Sequence, residues 1–141
     1  METQETAAPH PLENLEGAIA HLVNEARTKH GHHQLRRDPA LHDVARKRAA
    51  QALHDQSLSK HVTPIKDVLK RVHGHHGGEA LGWGSGDRGT PQALVHAWLN
   101  DPADRAILMN PQFTRFGIGA AIGTFEENHG AHVAIAELTD G

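Results

Sequence analysis

Apolar positions in the first half of the chain recur every three or four residues, which is the period of an amphipathic helix. One apolar stripe predicts a helix over residues 12 to 30, which Gly31 ends. A second predicts a helix that opens at Asp38-Pro39, with the aspartate as N-cap, and runs to about Asp55. The stripes consist of Leu15, Ile19, Leu22, Val23 and Ala26, and of Leu41, Val44, Ala45, Ala49 and Ala52. The polar stretch between them, residues 32 to 37, is predicted to be a loop.

A threonine followed by a proline, which is a helix-opening pair, occurs twice more. Thr63-Pro64 precedes a short apolar stripe that ends at Gly74, and Thr90-Pro91 precedes another that ends near Trp98. We therefore predict a third and a fourth helix at these positions. A short strand at residues 80 to 83 fits the glycine-rich segment between them.

The pattern changes to alternation after Asn110-Pro111, which breaks the chain after a short buried turn at residues 107 and 108. Apolar residues then alternate with glycine and alanine, which predicts a strand over residues 115 to 124 with one packed face. The apolar members are Phe116, Ile118, Ala120 and Ile122. A hairpin pairs this strand with residues 131 to 138 across a turn that contains Glu127, Asn128 and Gly130. Helices followed by strands predict an α+β fold in which helices cover a mostly antiparallel sheet.

Length and composition limit the function classes. The 141 residues fit one domain, predicted over residues 12 to 141, whereas residues 1 to 11 lack apolar periodicity and are predicted to be disordered. A net charge of −3 at pH 7 offers no basic field for nucleic acid or an anionic membrane, so electrostatic binding of either is disfavoured. No apolar run is long enough for a transmembrane helix, and residues 1 to 11 contain no signal peptide. The chain has no cysteine, which excludes disulfides and thiolate catalysis.

Histidine is the one residue type in marked excess. The 14 histidines are scattered along the chain, which argues against one dense metal-binding tract. We expect most of them to be solvated surface groups that add positive charge below about pH 6.5. The alternative is adventitious transition-metal binding through pairs such as His75 and His76.

Four segments share their spacing with a known family. Residues 22 to 49 place Leu35, Asp38 and Leu41 three residues apart before an alanine-rich helix. His61 stands three residues before Pro64, residues 78 to 84 read GEALGWG, and residues 98 to 123 join a helix end to a glycine-spaced strand. Together these segments resemble the CAP superfamily, specifically its bacterial SCP-like branch. The resemblance implies a three-layer α/β/α sandwich over about residues 13 to 138.

The resemblance also implies a set of site residues. In CAP proteins the histidine of a Ser-His-x-x-Pro element and the glutamate of a Gly-Glu-Asn element line a central cleft, which holds a divalent metal in some members. By position these residues are His61 and Glu79. Where the family usually has Ser-Pro-Gly-His-Arg, the chain reads DPADR at residues 101 to 105. Asp104 therefore replaces the second histidine, and Asp101 aligns with a second acid.

The implied metal ligands are His61, Glu79 and Asp104. A site with one imidazole and several carboxylates suits Mg or Mn better than zinc. The presence of Asp104 in place of the family's second histidine therefore disfavours zinc. Each cleft residue also has a structural interpretation. Asp101 fits a position near a helix end, and Asp104 with Arg105 fits a cap of the following turn. His61 fits a polar residue before a helix, and Trp83 fits the core rather than a ligand-stacking position in the cleft.

Three functions remain open at this stage. The favoured one is a noncatalytic extracytoplasmic domain whose cleft binds a small molecule, a lipid or a divalent cation. The second is a metal-assisted hydrolase with His61 as general base and Glu79 or Asp104 orienting it or holding a metal-bound water. The third is a protein-interaction domain with a vestigial cleft. The resemblance implies a secreted or cell-envelope protein, with the cytoplasm as the alternative, and the pattern leaves the oligomeric state open.

Overall fold

The computed structural model describes residues 11 to 58, 69 to 70 and 73 to 141. Its helices are α1 (Pro11–Lys29), α2 (Pro39–Asp55), α3 (Pro91–Asn100) and α4 (Pro102–Leu108), with a short 3₁₀ helix at Gly86–Gly89. Its strands are β1 (Arg36–Arg37), β2 (Gly77–Gly84), β3 (Arg115–Phe125) and β4 (Asn128–Thr139). The prediction of disorder for residues 1 to 11 is wrong at Pro11, which begins α1, and its other residues lie outside the described part of the chain. The start of the helix predicted after Thr63-Pro64 also lies outside the described residues. None of the described helices is long and apolar enough to cross a membrane.

Two of the predicted helix starts are confirmed by their caps. The Asp38 side chain accepts hydrogen bonds from the backbone N–H groups of Ala40 and Leu41, at 2.8 and 3.3 Å, and Pro39 occupies the first turn of α2. The Thr90 hydroxyl accepts from the backbone N–H of Ala93 at the start of α3. Both caps satisfy donors that the first turn of a helix leaves without intrahelical partners.

The four strands form one sheet in the order β1-β3-β4-β2. The β2–β4 and β3–β4 pairs are antiparallel, whereas the two residues of β1 pair with β3 in parallel, so the sheet is mixed. Helix α2 packs on one face, and α1, α3 and α4 pack on the other. This arrangement is the three-layer α/β/α sandwich that the resemblance implies.

Strand β3 is buried on both faces, so the prediction of one packed face is wrong. Its glycines permit this burial because they let the α2 backbone approach very closely. A Cβ added at Gly117 would overlap backbone atoms of Leu41 and His42, and one at Gly119 would overlap the backbone N of Arg46. The glycine positions of the alternating pattern therefore form the surface of β3 that contacts α2.

Three local predictions need correction. Residues 107 and 108 end helix α4 rather than forming a separate turn, because Asp101 caps that helix. The segment predicted as a loop contains the short strand β1, whose pairing depends on the distant β3. The hairpin turn is tighter than predicted: Glu126 and Glu127 lie between β3 and β4 with positive φ angles of 48° and 70°, while Asn128 and Gly130 belong to β4.

Two polar residues of α1 hold neighbouring segments in place. The buried Arg27 guanidinium donates to the backbone carbonyls of Leu108 and Asn110, at 2.8 and 2.9 Å, and burial lowers the pKa of Arg27. Asn24 hydrogen-bonds both the N–H and the carbonyl of Leu35. Together they fix the chain after α4 and the approach to β1 against the end of α1.

A buried carboxylate joins α1 to both α2 and β3. Glu16 accepts two hydrogen bonds from the Arg46 guanidinium, at 2.6 and 3.0 Å, and one from the backbone N–H of Ala120 at 2.9 Å. The Glu16 contact raises the pKa of Arg46. β1 pairs only with Arg115 and Phe116 of β3, so no strand lies beside Ala120 on that edge of the sheet. The Glu16 carboxylate supplies the acceptor that a neighbouring strand would otherwise provide to the Ala120 N–H.

Candidate binding cavity at the edge of the sheet

Strand β2, helix α3 and helix α4 line an open pocket of about 260 Å³, called here the β2–α3–α4 cavity. Two of the residues singled out from the sequence, Trp83 and Asp104, line this cavity. Most of the other lining residues are apolar. Among the described residues, the lining consists of Leu81, Gly82, Trp83, Arg88, Ala93, Leu94, Ala97, Trp98 and Asp104.

Asp101 sets the turn that positions this cavity. Its backbone N–H donates to Trp98 at the end of α3, and its carboxylate accepts from the backbone N–H of Asp104 at 2.9 Å, with Pro102 in the first turn of α4. Asp101 therefore serves as C-cap of α3 and N-cap of α4, which agrees with its predicted place near a helix end. The cap predicted at Asp104 is wrong, because Asp104 lies inside α4. Asp101 is exposed and does not belong to the cavity lining.

Asp104 carries a perturbed carboxyl group. Partial burial raises the pKa of Asp104, and the negative charge and hydrogen bond of Asp101 raise it further. Both effects disfavour the ionised form, because burial removes hydration and a like charge repels. A hydrogen-bond donor at this position would therefore be stabilising.

The two tryptophans of the chain both line the cavity, in different environments. Trp83 is half-buried and packs against Phe125 with ring centroids 4.9 Å apart and an interplanar angle of 52°. Trp98 is only 2% exposed, and its indole Nε1 has no hydrogen-bond acceptor among the described residues. Glycine at position 82 makes room for this ring, since an added Cβ would lie 2.9 Å from Nε1.

Glu79 lies on β2 but points toward α2 rather than into the β2–α3–α4 cavity. Its Oε1 is 2.9 Å from Nη2 of Arg48, and both side chains are largely buried. On the neighbouring strand Glu137 stands directly opposite Glu79. Burial first, and then the hydrogen bond to Glu79 and its charge, raise the pKa of Glu137 to about 10, against a smaller opposing effect of Arg48. Glu137 is therefore protonated at neutral pH and shares a hydrogen bond with Glu79.

Sequence reasoning missed Arg48 and Glu137, although each carries a detectable signal. Arg48 stands four residues after Val44 on the apolar stripe of α2, where a surface helix would place an aliphatic residue. Glu137 interrupts an apolar run in the last strand. A charge inside an apolar stripe indicates a buried polar partner, but the sequence alone does not identify that partner.

The structure thus brings Trp83 and Asp104 together in one cavity and places the Glu79 carboxylate with Arg48 and Glu137. The predicted metal ligand His61 lies outside the described residues. Within the part of the chain that is described, no three His, Cys, Asp or Glu side chains are grouped so that they could hold a metal ion. A metal site completed by His61 stays a prediction.

The fold is shared with solved structures of surface and extracellular proteins. An extracellular protein containing a SCP domain from Bacillus anthracis matches with a TM-score of 0.75 and 20% identity, covering 95% of this chain and 45% of that one. An outer surface protein from Borrelia burgdorferi matches with a TM-score of 0.69 and 18% identity, covering 86% of this chain and 89% of that one. These likenesses define the class of fold.

Sequence comparison identifies the family. The model of CAP, the cysteine-rich secretory protein family, matches residues 20 to 133. The chain belongs to this family. The uncharacterized protein YkwD of Bacillus subtilis (strain 168) is 30% identical over 120 residues, which cover 81% of this chain and 45% of the relative. The chain therefore spans less than half the length of that relative.

Proposed function

We propose that this chain is an extracytoplasmic CAP domain that binds a small, mostly apolar ligand in the β2–α3–α4 cavity without transforming it. The observation that carries the proposal is the cavity itself, an apolar concavity with a few polar groups, which is the usual form of a small-molecule site. Its volume of about 260 Å³ limits the ligand to a compact molecule or one segment of a larger one. The extracellular and outer-surface descriptions of the similar structures support the location.

Two features support binding rather than hydrolysis. The described lining contains no histidine, serine or cysteine, so this part of the chain offers no nucleophile paired with an imidazole base. Glu79, which a hydrolase would use to orient a base or hold a metal, already forms an ion pair with Arg48. A carboxylate that is already paired with a guanidinium is less available to an incoming cation.

Tryptophan fluorescence tests the proposal, because both tryptophans line the cavity. The tryptophans are excited at a wavelength where toluene does not absorb. Titration of the protein with toluene should then give a saturable change in tryptophan emission. Ala93→Phe, at a half-buried lining position, should fill the cavity and abolish that change. Ala106→Phe is the matched control, since Ala106 is an exposed alanine on α4 outside the lining, and it should bind toluene normally. Absence of saturation, or equal binding by the two variants, would refute the proposal.

A further inference from the structure

The outer edge of β2 presents backbone groups that the sheet does not use. β2 is the last strand of the sheet and pairs on one side only, with β4. Because the Ala120 N–H bonds to α1, the odd-numbered residues of β3 are the ones that bond to β4, and Ile135 and Val133 are among their partners. Leu81 and Trp83 stand opposite these two residues, so they direct their own N–H and C=O groups to the outer edge. None of these four groups has a hydrogen-bond partner among the described residues.

β2 also lacks several features that usually protect an exposed strand edge. It contains no proline or lysine, and its register with β4 is unbroken from Gly77 to Gly84. Its one charged side chain, that of Glu79, points to Arg48 on α2 rather than along the edge. An edge of this kind is a template for pairing with a further extended strand.

The β2–α3–α4 cavity lies beside this edge. Leu81 and Trp83 pack on the α2 side of the sheet, so Gly82 between them faces α3. In an antiparallel pair, residues that stand directly opposite each other place their side chains on the same face. A residue that paired with Gly82 from outside would therefore direct its side chain toward α3, where the cavity lies, and Gly82 has no side chain to obstruct it.

We infer, resting on the proposed function, that the ligand is an extended peptide segment that adds to β2 as an antiparallel strand and places one apolar side chain in the cavity. The peptide residues on either side of that side chain exchange hydrogen bonds with Leu81 and Trp83. These two residues lie roughly 7 Å apart along the strand, and an extended backbone presents a donor and an acceptor at the same interval. A small apolar molecule would fill the cavity but leave the four backbone groups unmatched.

Two peptides separate the backbone contribution from that of the side chain. The first is an acetylated and amidated pentapeptide with a central leucine and threonine at the other positions. The second is the same peptide N-methylated on the two threonines next to the leucine, which removes the donors to the carbonyls of Leu81 and Trp83. Tryptophan fluorescence follows both titrations. The first peptide should bind, and the second should bind at least about tenfold more weakly, because it loses two net hydrogen bonds.

Amide hydrogen exchange in ¹⁵N-labelled protein locates the bound peptide. The first peptide should slow exchange of the Leu81 and Trp83 amides at least about tenfold, and toluene should not. The Gly82 amide, which bonds to β4, should exchange slowly with or without peptide. Slow exchange at Leu81 and Trp83 before peptide is added would overturn the inference, because the edge would already be covered. Sedimentation would then show whether a second copy of the chain covers it.

A pair of variants tests the edge from the side of the protein. Leu81→Pro removes an N–H that points outward, so it should cost no bond to β4. Leu81→Ala is the matched control, because it also loses the leucine side chain but keeps the N–H. The first peptide should bind Leu81→Pro at least about fivefold more weakly than Leu81→Ala, while toluene should bind the two variants equally.

The outcomes distinguish this inference from the proposed function. Equal affinities of the parent protein for the two peptides would overturn the peptide inference alone, and this comparison serves where Leu81→Pro does not fold. Equal affinities of the two variants, both folded, for the first peptide would do the same. Failure of toluene to bind the parent protein would instead refute the proposed function.

Discussion

At the scale of single residues, Glu137 is the group whose charge state depends most on the fold. The folded protein keeps its proton up to a pKa of about 10, whereas an unfolded glutamate releases it near 4.5. As pH rises through this window the unfolded state loses a proton that the folded state retains, so stability falls with increasing pH. Below about pH 4.5 both states are protonated and the stabilisation is fully present.

Glu137→Gln should therefore raise the free energy of unfolding at pH 7, by an amount on the order of 3 kcal/mol. The amide cannot ionise and still donates a hydrogen bond toward Glu79. Urea denaturation at pH 4.5 and pH 7 measures the effect, which should be small at the lower pH. The matched control Glu127→Gln, at an exposed turn position, should change stability little at either pH. An equal gain at both pH values would show that packing rather than ionisation is responsible.

Single-residue features were predictable from sequence where they are local. Asp38 and Thr90 were predicted as caps because a cap involves only the next few residues, whereas the cap of α4 was predicted at Asp104 and lies at Asp101. The pairing of Glu79 with Glu137 depends on strand register between segments nearly sixty residues apart, which no local pattern encodes. The buried Trp98 N–H, which has no acceptor among the described residues, depends in the same way on which residue of β2 lies opposite α3.

At the scale of elements, the contact between α2 and β3 is closer than ordinary side-chain packing permits. Gly119→Ala should destabilise the domain by about 3 kcal/mol or more, because its Cβ would overlap the α2 backbone and neither element can move alone. Chemical denaturation measures the loss. The control is Gly17→Ala in α1, where nothing lies within 4 Å of an added Cβ. That change should stabilise the helix by about 0.5 to 1 kcal/mol. A mild effect at Gly119 would mean that α2 can shift outward.

Element positions were predicted well where periodicity is strong and less well where pairing decides them. The stripe of α2 and the alternation in β3 placed both elements, yet the sequence did not show that α2 covers the glycine face of β3. Strand β1 has only two residues, both exposed, and carries no apolar pattern. The hairpin turn was predicted to include Asn128 and Gly130 because a two-residue turn with positive φ at both positions normally contains Asn or Gly. The structure instead has Glu126 and Glu127 at these two positions.

At the scale of the whole molecule, histidine content makes the net charge strongly dependent on pH. Protonating all 14 histidines would change the formal net charge from −3 to +11, and nine of the twelve that the structure describes are exposed. We expect the protein to bind vesicles rich in anionic lipid at pH 5.5 and not at pH 7.5, because ordinary histidines titrate between these values. Cosedimentation with neutral vesicles is the control, and 0.5 M salt should release the bound protein. Binding that is independent of pH or salt would contradict this prediction.

The central position of β4 has a consequence for the order of events during synthesis. β4 is the last strand that the structure describes, yet both β2 and β3 pair with it. A nascent chain that ends before residue 128 therefore contains the four described helices but not the strand on which the sheet is assembled. Because a chain is made from its N-terminus, its apolar helix faces stay exposed until almost the whole domain has left the ribosome. Until then the polypeptide is unfolded and exposes apolar surface that chaperones can bind.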